Sequence, residues 1–187
     1  MWEFRGRPFQ SHRHDSDLLV VIGECFEAIF DEALTAASAS HRCSWFRREK
    51  LESLPDPKKL KNPLNKVWLK RIRFCTGNCD LYDWMHSLSN EYVKPHTIIV
   101  ELELPHEESV AAQLAFLANF TKYVVESRER EKSASPTFPI IAYVPELVEE
   151  VALLATLFTG FVLTQNETGE FENIALCRKE EEDDVDV

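Results

Sequence analysis

The chain has 187 residues, of which 44% are hydrophobic and 28% are charged, and its formal net charge is −11. This composition is typical of a single globular domain with a buried core, and the excess of acid argues against a protein that grips nucleic acid alone. No apolar run reaches the roughly 18 residues that a membrane helix needs, so we predict an intracellular protein without a membrane partner.

Residues 1–16 mix aromatic side chains with arginines and are too few to form a domain. Two interpretations of this segment stay open. It folds onto the core of its own chain, or it is an arm that docks on a partner protein through Trp2, Phe4 and Phe9. Two histidines in the segment, His12 and His14, are more typical of a solvated polar leader than of a metal site.

Residues 17–22 form a short apolar run that ends at Gly23, which is the pattern of a buried parallel strand. Apolar residues then recur from Phe26 to Ala37 with the i, i+3, i+4, i+7 spacing of a helix that has one buried face. A buried strand, a glycine and a helix follow one another in the same way in a phosphate-binding P-loop.

The residues that bind phosphate and magnesium in a P-loop are missing. Counting from Gly23, the places of the second glycine, the lysine and the Ser/Thr hold Ala28, Ile29 and Phe30. Four acidic residues also stand near the helix start, where they would repel a nucleotide: Glu24, Glu27, Asp31 and Glu32. We therefore predict a P-loop scaffold that has lost its nucleotide and holds no cofactor in its own pocket.

A second strand is predicted over residues 42–46 and a third over residues 71–74. Residues 58–73 contain no acid and form the chain's basic run, which is either a solvated loop face or a contact surface. The candidate contacts for DNA or for an acidic partner are Lys58, Lys59, Lys61, Lys66, Lys70 and Arg71. Because the net charge of the chain opposes DNA, an acidic partner surface is the favoured interpretation.

Two further helices and one strand are predicted after the basic run. Asp80 caps a predicted helix over residues 81–88, and a strand is predicted over residues 97–104. The longest helix follows this strand, and a polar loop is predicted over residues 127–137.

The last part of the predicted core contains one more buried strand, over residues 138–144. Pro145 suits the first position of the next helix, which Gly160 ends. Residues 161–164 and 171–177 are predicted to pair as a hairpin. Strands alternating with helices predict an α/β fold with a doubly wound, mostly parallel sheet and an antiparallel edge hairpin.

The cysteines and histidines give no sign of a metal site or of an enzyme. Five cysteines are present without a CxxC pair, which predicts reduced, packed thiols. None of the six histidines shares a recognisable motif with a cysteine or serine nucleophile, so we predict no catalytic residue and no metal.

The order of these elements resembles the RecA-type recombinase core, and in particular its small divergent paralogues. The chain is most similar to the SWIM-domain-associated paralogue and to the nematode recombinase-paralogue partner subunit. The resemblance rests on six pieces that occur in the same order. They are a strand that ends in two arginines (Phe46-Arg47-Arg48), a short segment (residues 51–55), a further strand (69–74), a leucine-rich helix (81–88), a Walker B strand (98–101) and an alanine-rich helix (111–117).

The resemblance implies a trimmed, degenerate RecA-like P-loop ATPase core over residues 17–178, in which Glu101 replaces the Walker B aspartate. The segments that carry DNA-contacting loops in recombinases have almost no room here, so single-stranded DNA would be reached mainly through partners. Residues 179–187 follow as a predicted acidic, disordered tail with six acids.

The function that the resemblance implies is that of a non-catalytic subunit in homologous recombination repair in the nucleus. Such a subunit pairs with an ATP-binding paralogue, which holds the ATP and magnesium, and the pair binds and remodels recombinase filaments on single-stranded DNA. The alternative is a degenerate RecA-like scaffold subunit of another complex, such as the Elongator tRNA-modification assembly.

Overall fold

The computed structural model of the protein describes residues 2–5, 7–9, 17–47, 49–77, 80–91, 95–102, 107–130, 138–146, 148–166 and 169–175. The strands are β1 (Trp2–Phe4), β2 (Arg7–Phe9), β3 (Leu18–Ile22), β4 (Cys43–Phe46), β5 (Ile72–Cys75), β6 (Thr97–Glu101), β7 (Ile140–Val144), β8 (Val162–Gln165) and β9 (Phe171–Asn173). The helices are α1 (Phe26–Ser38), α2 (Lys66–Leu69), α3 (Leu81–Ser89), α4 (Glu107–Arg130) and α5 (Glu149–Ala155), and a 3-10 turn spans Pro57–Lys59.

Strands β3 to β9 form one seven-stranded sheet in the order β5-β4-β6-β7-β3-β8-β9. Neighbouring strands run parallel except β8 and β9, which pair antiparallel at one edge. Strand β3 places Val20 opposite Ala142 of β7 and Val162 of β8. The α/β class, the mostly parallel doubly wound sheet and the antiparallel edge hairpin are thereby confirmed.

The central strands are buried along their whole length because helices cover both faces of the sheet. In β3 the side chains of Leu18, Val20 and Ile22 face the layer formed by α3, α4 and α5. The alternating residues Leu19 and Val21 face the second layer, which contains α1, α2 and the β1–β2 hairpin. This two-sided burial explains why the strand is an unbroken apolar run in the sequence.

The β1–β2 hairpin packs part of residues 1–16 against the core of the same chain. Its register places Trp2 opposite Phe9. Phe4 is only 1% exposed, and its ring lies edge-on to Phe171 with 5.1 Å between the ring centroids. For Phe4 the structure therefore supports the interpretation in which the leader folds onto its own core, and the docking role predicted for this side chain is wrong.

Several predicted boundaries are wrong. The hairpin strand predicted over residues 171–177 ends at Asn173. The helix predicted to begin at Pro145 begins at Glu149, where two glutamates occupy the first turn and suit the positive end of the helix dipole. Helix α4 continues to Arg130 through residues that were expected to form a loop. Arg128 explains the extension, since its buried guanidinium lies 3.5 Å from the Phe138 carbonyl oxygen.

Cys25, Cys43 and Cys75 are free thiols, as the odd number and spacing of the cysteines predicted, while Cys79 and Cys177 lie outside the described residues. Burial raises the pKa of the Cys25 thiol to about 12, so the side chain is neutral and packs as a small apolar group. Within the described part of the chain, no helix is both long enough and apolar enough to span a membrane.

Candidate functional site

The place where a doubly wound sheet binds ligands is the crevice at the carboxyl ends of strands whose following helices lie on opposite faces. Here α1, which follows β3, covers one face, and α5, which follows β7, covers the other. The crevice therefore lies between Gly23 and Val144. Strands β3 and β7 remain paired at this point, since the Gly23 amide donates to the Val144 carbonyl oxygen at 2.9 Å.

The connection from β3 to α1 is too short for a phosphate-binding loop. Only Glu24 and Cys25 lie between Gly23 and the first residue of the helix. Cys25 donates its amide to the Gly23 carbonyl oxygen at 2.8 Å, and Ala28 donates to the Cys25 carbonyl oxygen at 2.9 Å. These two amides are therefore committed to the turn and to the first helical turn and are not available to a phosphate.

The three positions that bind phosphate and magnesium in a P-loop lie inside α1 and face the sheet. Ala28 is 2% exposed, and Ile29 and Phe30 are fully buried. The Phe30 ring centroid lies 5.9 Å from that of Trp45 and 6.0 Å from that of Phe26. These three side chains therefore pack in the core between α1 and the sheet and are not available to a ligand in the crevice.

The acids near the start of α1 are not one cluster. Glu24 is exposed and Glu27 lies in the first turn, where it accepts a hydrogen bond from the Lys59 ammonium at 2.9 Å. Asp31 and Glu32 lie one turn further along the helix and are 1% and 3% exposed. The prediction that all four crowd a nucleotide position is wrong for Asp31 and Glu32.

The buried acids attach other segments to α1. Asp31 accepts hydrogen bonds from the backbone amides of Lys61 at 2.8 Å and Asn62 at 3.0 Å, and the Arg5 guanidinium lies 3.6 Å away. Glu32 accepts a hydrogen bond from the backbone amide of Arg5. Burial raises the pKa of Glu32 to about 7, although that hydrogen bond favours the charged form.

Glu101, for which the resemblance implied the Walker B position, forms an ion pair with Arg47 of the same chain. Arg47 follows β4, and the register of β4 and β6 pairs Phe46 with Val100, so the two charged side chains emerge side by side. The Arg47 Nε atom lies 3.4 Å from a Glu101 carboxylate oxygen, and its guanidinium carbon lies 5.3 Å from the Phe26 ring centroid. The sequence alone did not predict this ion pair, because the prediction would require knowing that β4 lies beside β6.

The basic run divides into two parts in the structure. Lys59 pairs with Glu27, and the Lys61 ammonium donates to the Arg5 carbonyl oxygen at 3.0 Å, so both bind this chain's own α1 layer. Lys58 and Lys66 are exposed on the 3-10 turn and on α2. The structure therefore does not show one continuous contact surface.

The second part of the run lines a cavity of about 520 Å³ at the amino ends of β4 and β5. We call it the amino-end cleft, and its charged lining residues are Arg42, Lys70, Arg71, Arg73 and Glu91. Arg42 was not among the sequence candidates. It joins Arg71 because β4 and β5 run parallel with Cys43 opposite Ile72, which places the residues before both strands side by side.

A scan against models of known protein families finds no match to this sequence, and a search of curated proteins finds no similar chain. Among the residues that the structure describes, no three His, Cys, Asp or Glu side chains are grouped so that they could hold a metal ion.

Proposed function

We propose that this chain is a non-catalytic recombinase-paralogue subunit that pairs with an ATP-binding paralogue. The pair would bind and remodel recombinase filaments on single-stranded DNA in the nucleus. The proposal rests on the resemblance of the chain to small RecA-type paralogues. The doubly wound sheet with its antiparallel edge pair is consistent with that resemblance.

The single observation that carries the non-catalytic part of the proposal is the packing of α1. Ile29 and Phe30 stand where a P-loop has its lysine and its Ser/Thr, and both are fully buried against the sheet. A nucleotide would need these positions to face the crevice, and turning them outward would empty the core between α1 and β4.

The ion pair of Arg47 and Glu101 supports the same proposal. A carboxylate at the Walker B position serves a nucleotide site when it is available to a magnesium ion and its waters. Here the two side chains are only 11% and 19% exposed, and the guanidinium already balances the carboxylate charge. The crevice is therefore stabilised by charges that belong to the chain itself.

A subunit that binds no nucleotide is compatible with a role in an ATP-dependent pair. In the RecA-type arrangement the nucleotide lies between neighbouring subunits, so a subunit that binds none can still complete the site of its neighbour. ATP and magnesium would then be bound by the partner subunit.

Co-expression and nucleotide titration test the proposal. The chain is expressed alone and together with candidate ATP-binding paralogues, and Mg-ATP binding is measured by calorimetry. The isolated chain should bind Mg-ATP no more tightly than about 1 mM, which is roughly 4 kcal/mol of binding. A pull-down with mass spectrometry should recover a recombinase paralogue. Recovery of subunits of a tRNA-modification assembly instead would overturn the proposal in favour of the scaffold alternative.

A further inference from the structure

The amino-end cleft carries more positive charge than the chain itself uses. Four cations line it against one carboxylate, Glu91, which pairs with Arg73. Arg71 donates from one guanidinium nitrogen to the Ala37 carbonyl oxygen at 2.7 Å, and this bond holds it against the end of α1. Among the described residues, neither Arg42 nor Lys70 forms an ion pair.

Backbone hydrogen bonds fix the points from which the Arg42 and Arg71 side chains reach the cleft. The Cys43 amide donates to the Arg71 carbonyl oxygen at 3.1 Å, and the His96 amide donates to the Arg42 carbonyl oxygen at 2.9 Å. Both arginines therefore leave the backbone at fixed points beside the first residues of paired strands. Guanidinium groups bind carboxylates with two parallel hydrogen bonds.

The lining of the cleft favours a protein ligand over a nucleic acid. Proteins that bind single strands combine basic grooves with aromatic side chains on which bases stack. The apolar and small residues that line this cleft include Cys43, Ile72 and Pro95, and no aromatic side chain is among its described lining residues. The net charge of −11 also opposes a long polyanion, while a short acidic segment can enter a local positive field.

We propose that the amino-end cleft binds a carboxylate-rich segment of a partner protein. Arg42 and Lys70 supply exposed cations that no acid of the described chain neutralises, and Arg71 supplies a positioned one. This inference deepens the proposed function, since it names the chemistry of a contact with a partner. It does not depend on which complex that partner belongs to.

The test uses the full-length chain and a synthetic acidic peptide, Glu-Glu-Glu-Asp-Asp-Val-Asp, which is the sequence of residues 180–186. Binding is measured by fluorescence anisotropy for the wild type and for the variant Arg42→Gln/Lys70→Gln. The matched control, Lys50→Gln/Lys122→Gln, removes the same charge from exposed positions outside the cleft. Circular dichroism checks that both variants fold.

Removal of the two cleft cations should weaken peptide binding by about tenfold or more, and the control should weaken it by less than about twofold. Binding should also weaken as ionic strength rises through about 0.15 M. Equal losses in the two variants would mean a diffuse charge effect and would overturn the proposal. Cleft-dependent binding of an oligothymidine that exceeds the binding of the peptide would overturn it as well.

The outcome is separable from that of the proposed function. The peptide assay needs neither a recombinase paralogue nor ATP, whereas the test of the proposed function scores nucleotide binding and copurifying subunits. If the chain binds the peptide but recovers no recombinase paralogue, the proposal for the cleft stands and the proposed role in recombination is wrong.

Discussion

Introducing P-loop residues at positions 29 and 30 should unfold the protein before it allows nucleotide binding. The variant is Ile29→Lys with Phe30→Thr, and both native side chains are fully buried. Truncation of a buried phenylalanine costs about 3–5 kcal/mol of folding free energy. A lysine at position 29 would meet only the apolar layer between α1 and the sheet. It would cost several kcal/mol more, whether it keeps its proton or gives it up.

The two costs do not add exactly, because neighbouring residues share the same cavity. Even a combined loss of about 6 kcal/mol is comparable with the roughly 5–15 kcal/mol that stabilises a whole domain. We therefore expect a largely unfolded variant that does not bind Mg-ATP. Ser38→Lys is the matched control, since it adds a lysine at the exposed end of the same helix and should change stability by less than about 0.5 kcal/mol.

Urea unfolding followed by circular dichroism measures the stability, and calorimetry with Mg-ATP measures the binding. The reasoning fails if the double variant unfolds cooperatively at the wild-type urea midpoint. It also fails if a folded double variant binds Mg-ATP more tightly than about 1 mM. Either result would mean that the start of α1 can rearrange into a phosphate-binding loop at little cost.

Three further predictions concern charged groups. Because the pKa of Glu32 is raised to about 7 in the folded chain, its ionisation destabilises the fold as pH rises. Glu32→Gln should thus gain roughly 2–3 kcal/mol at about pH 8 and nothing below about pH 4 in pH-dependent urea melts, and a loss at pH 8 would contradict this. Burial lowers the pKa of His96 to about 4, so stability should fall as pH drops from about 6.5 to about 4. The His96→Phe variant should therefore lose about 1–2 kcal/mol less stability than the wild type over this pH range in thermal melts, a value discounted for the partial exposure of His96. An unchanged dependence of stability on pH would contradict the lowered pKa of His96. Arg47→Met should cost about 1–3 kcal/mol, and adding Glu101→Gln should recover part of it, whereas strict additivity in the double-mutant cycle would show that the pair is not coupled.

The fold was predictable because the sequence pattern that indicates each helix or strand lies within that element or directly beside it. The apolar run of β3, the i, i+3, i+4 pattern of α1 and the cap at Asp80 depend on residues close in sequence. Asp80 accepts hydrogen bonds from the amides of Tyr82 and Asp83, as its position predicted. Errors arose where a distant contact decides the boundary, as Arg128 does for the end of α4.

The candidate site was only partly predictable, for the same physical reason. Sequence spacing alone predicted that Ile29 and Phe30 replace P-loop residues, and the structure places both in the core. Charges could not be assigned in that way. Asp31 was read as an acid that repels nucleotide, but its partners are amides about thirty positions away, at Lys61 and Asn62. A run of charged residues in a sequence shows the sign of the charge, but it does not show which group each side chain will bind.

The packing around α1 explains why a nucleotide site would be hard to create at the start of this helix. Its buried face fills the space between the helix and the sheet, and its acids Asp31 and Glu32 hold the hairpin and the chain segment near Lys61. Any change that reopens the crevice would release these segments as well. The amino-end cleft escapes this constraint, because it lies at the opposite end of parallel strands that are about 15 Å long. Substitutions at Arg42 or Lys70 could alter partner binding without disturbing that core. We therefore expect substitutions in the cleft to change partner binding. Substitutions at the crevice near Gly23 should instead change the stability of the fold.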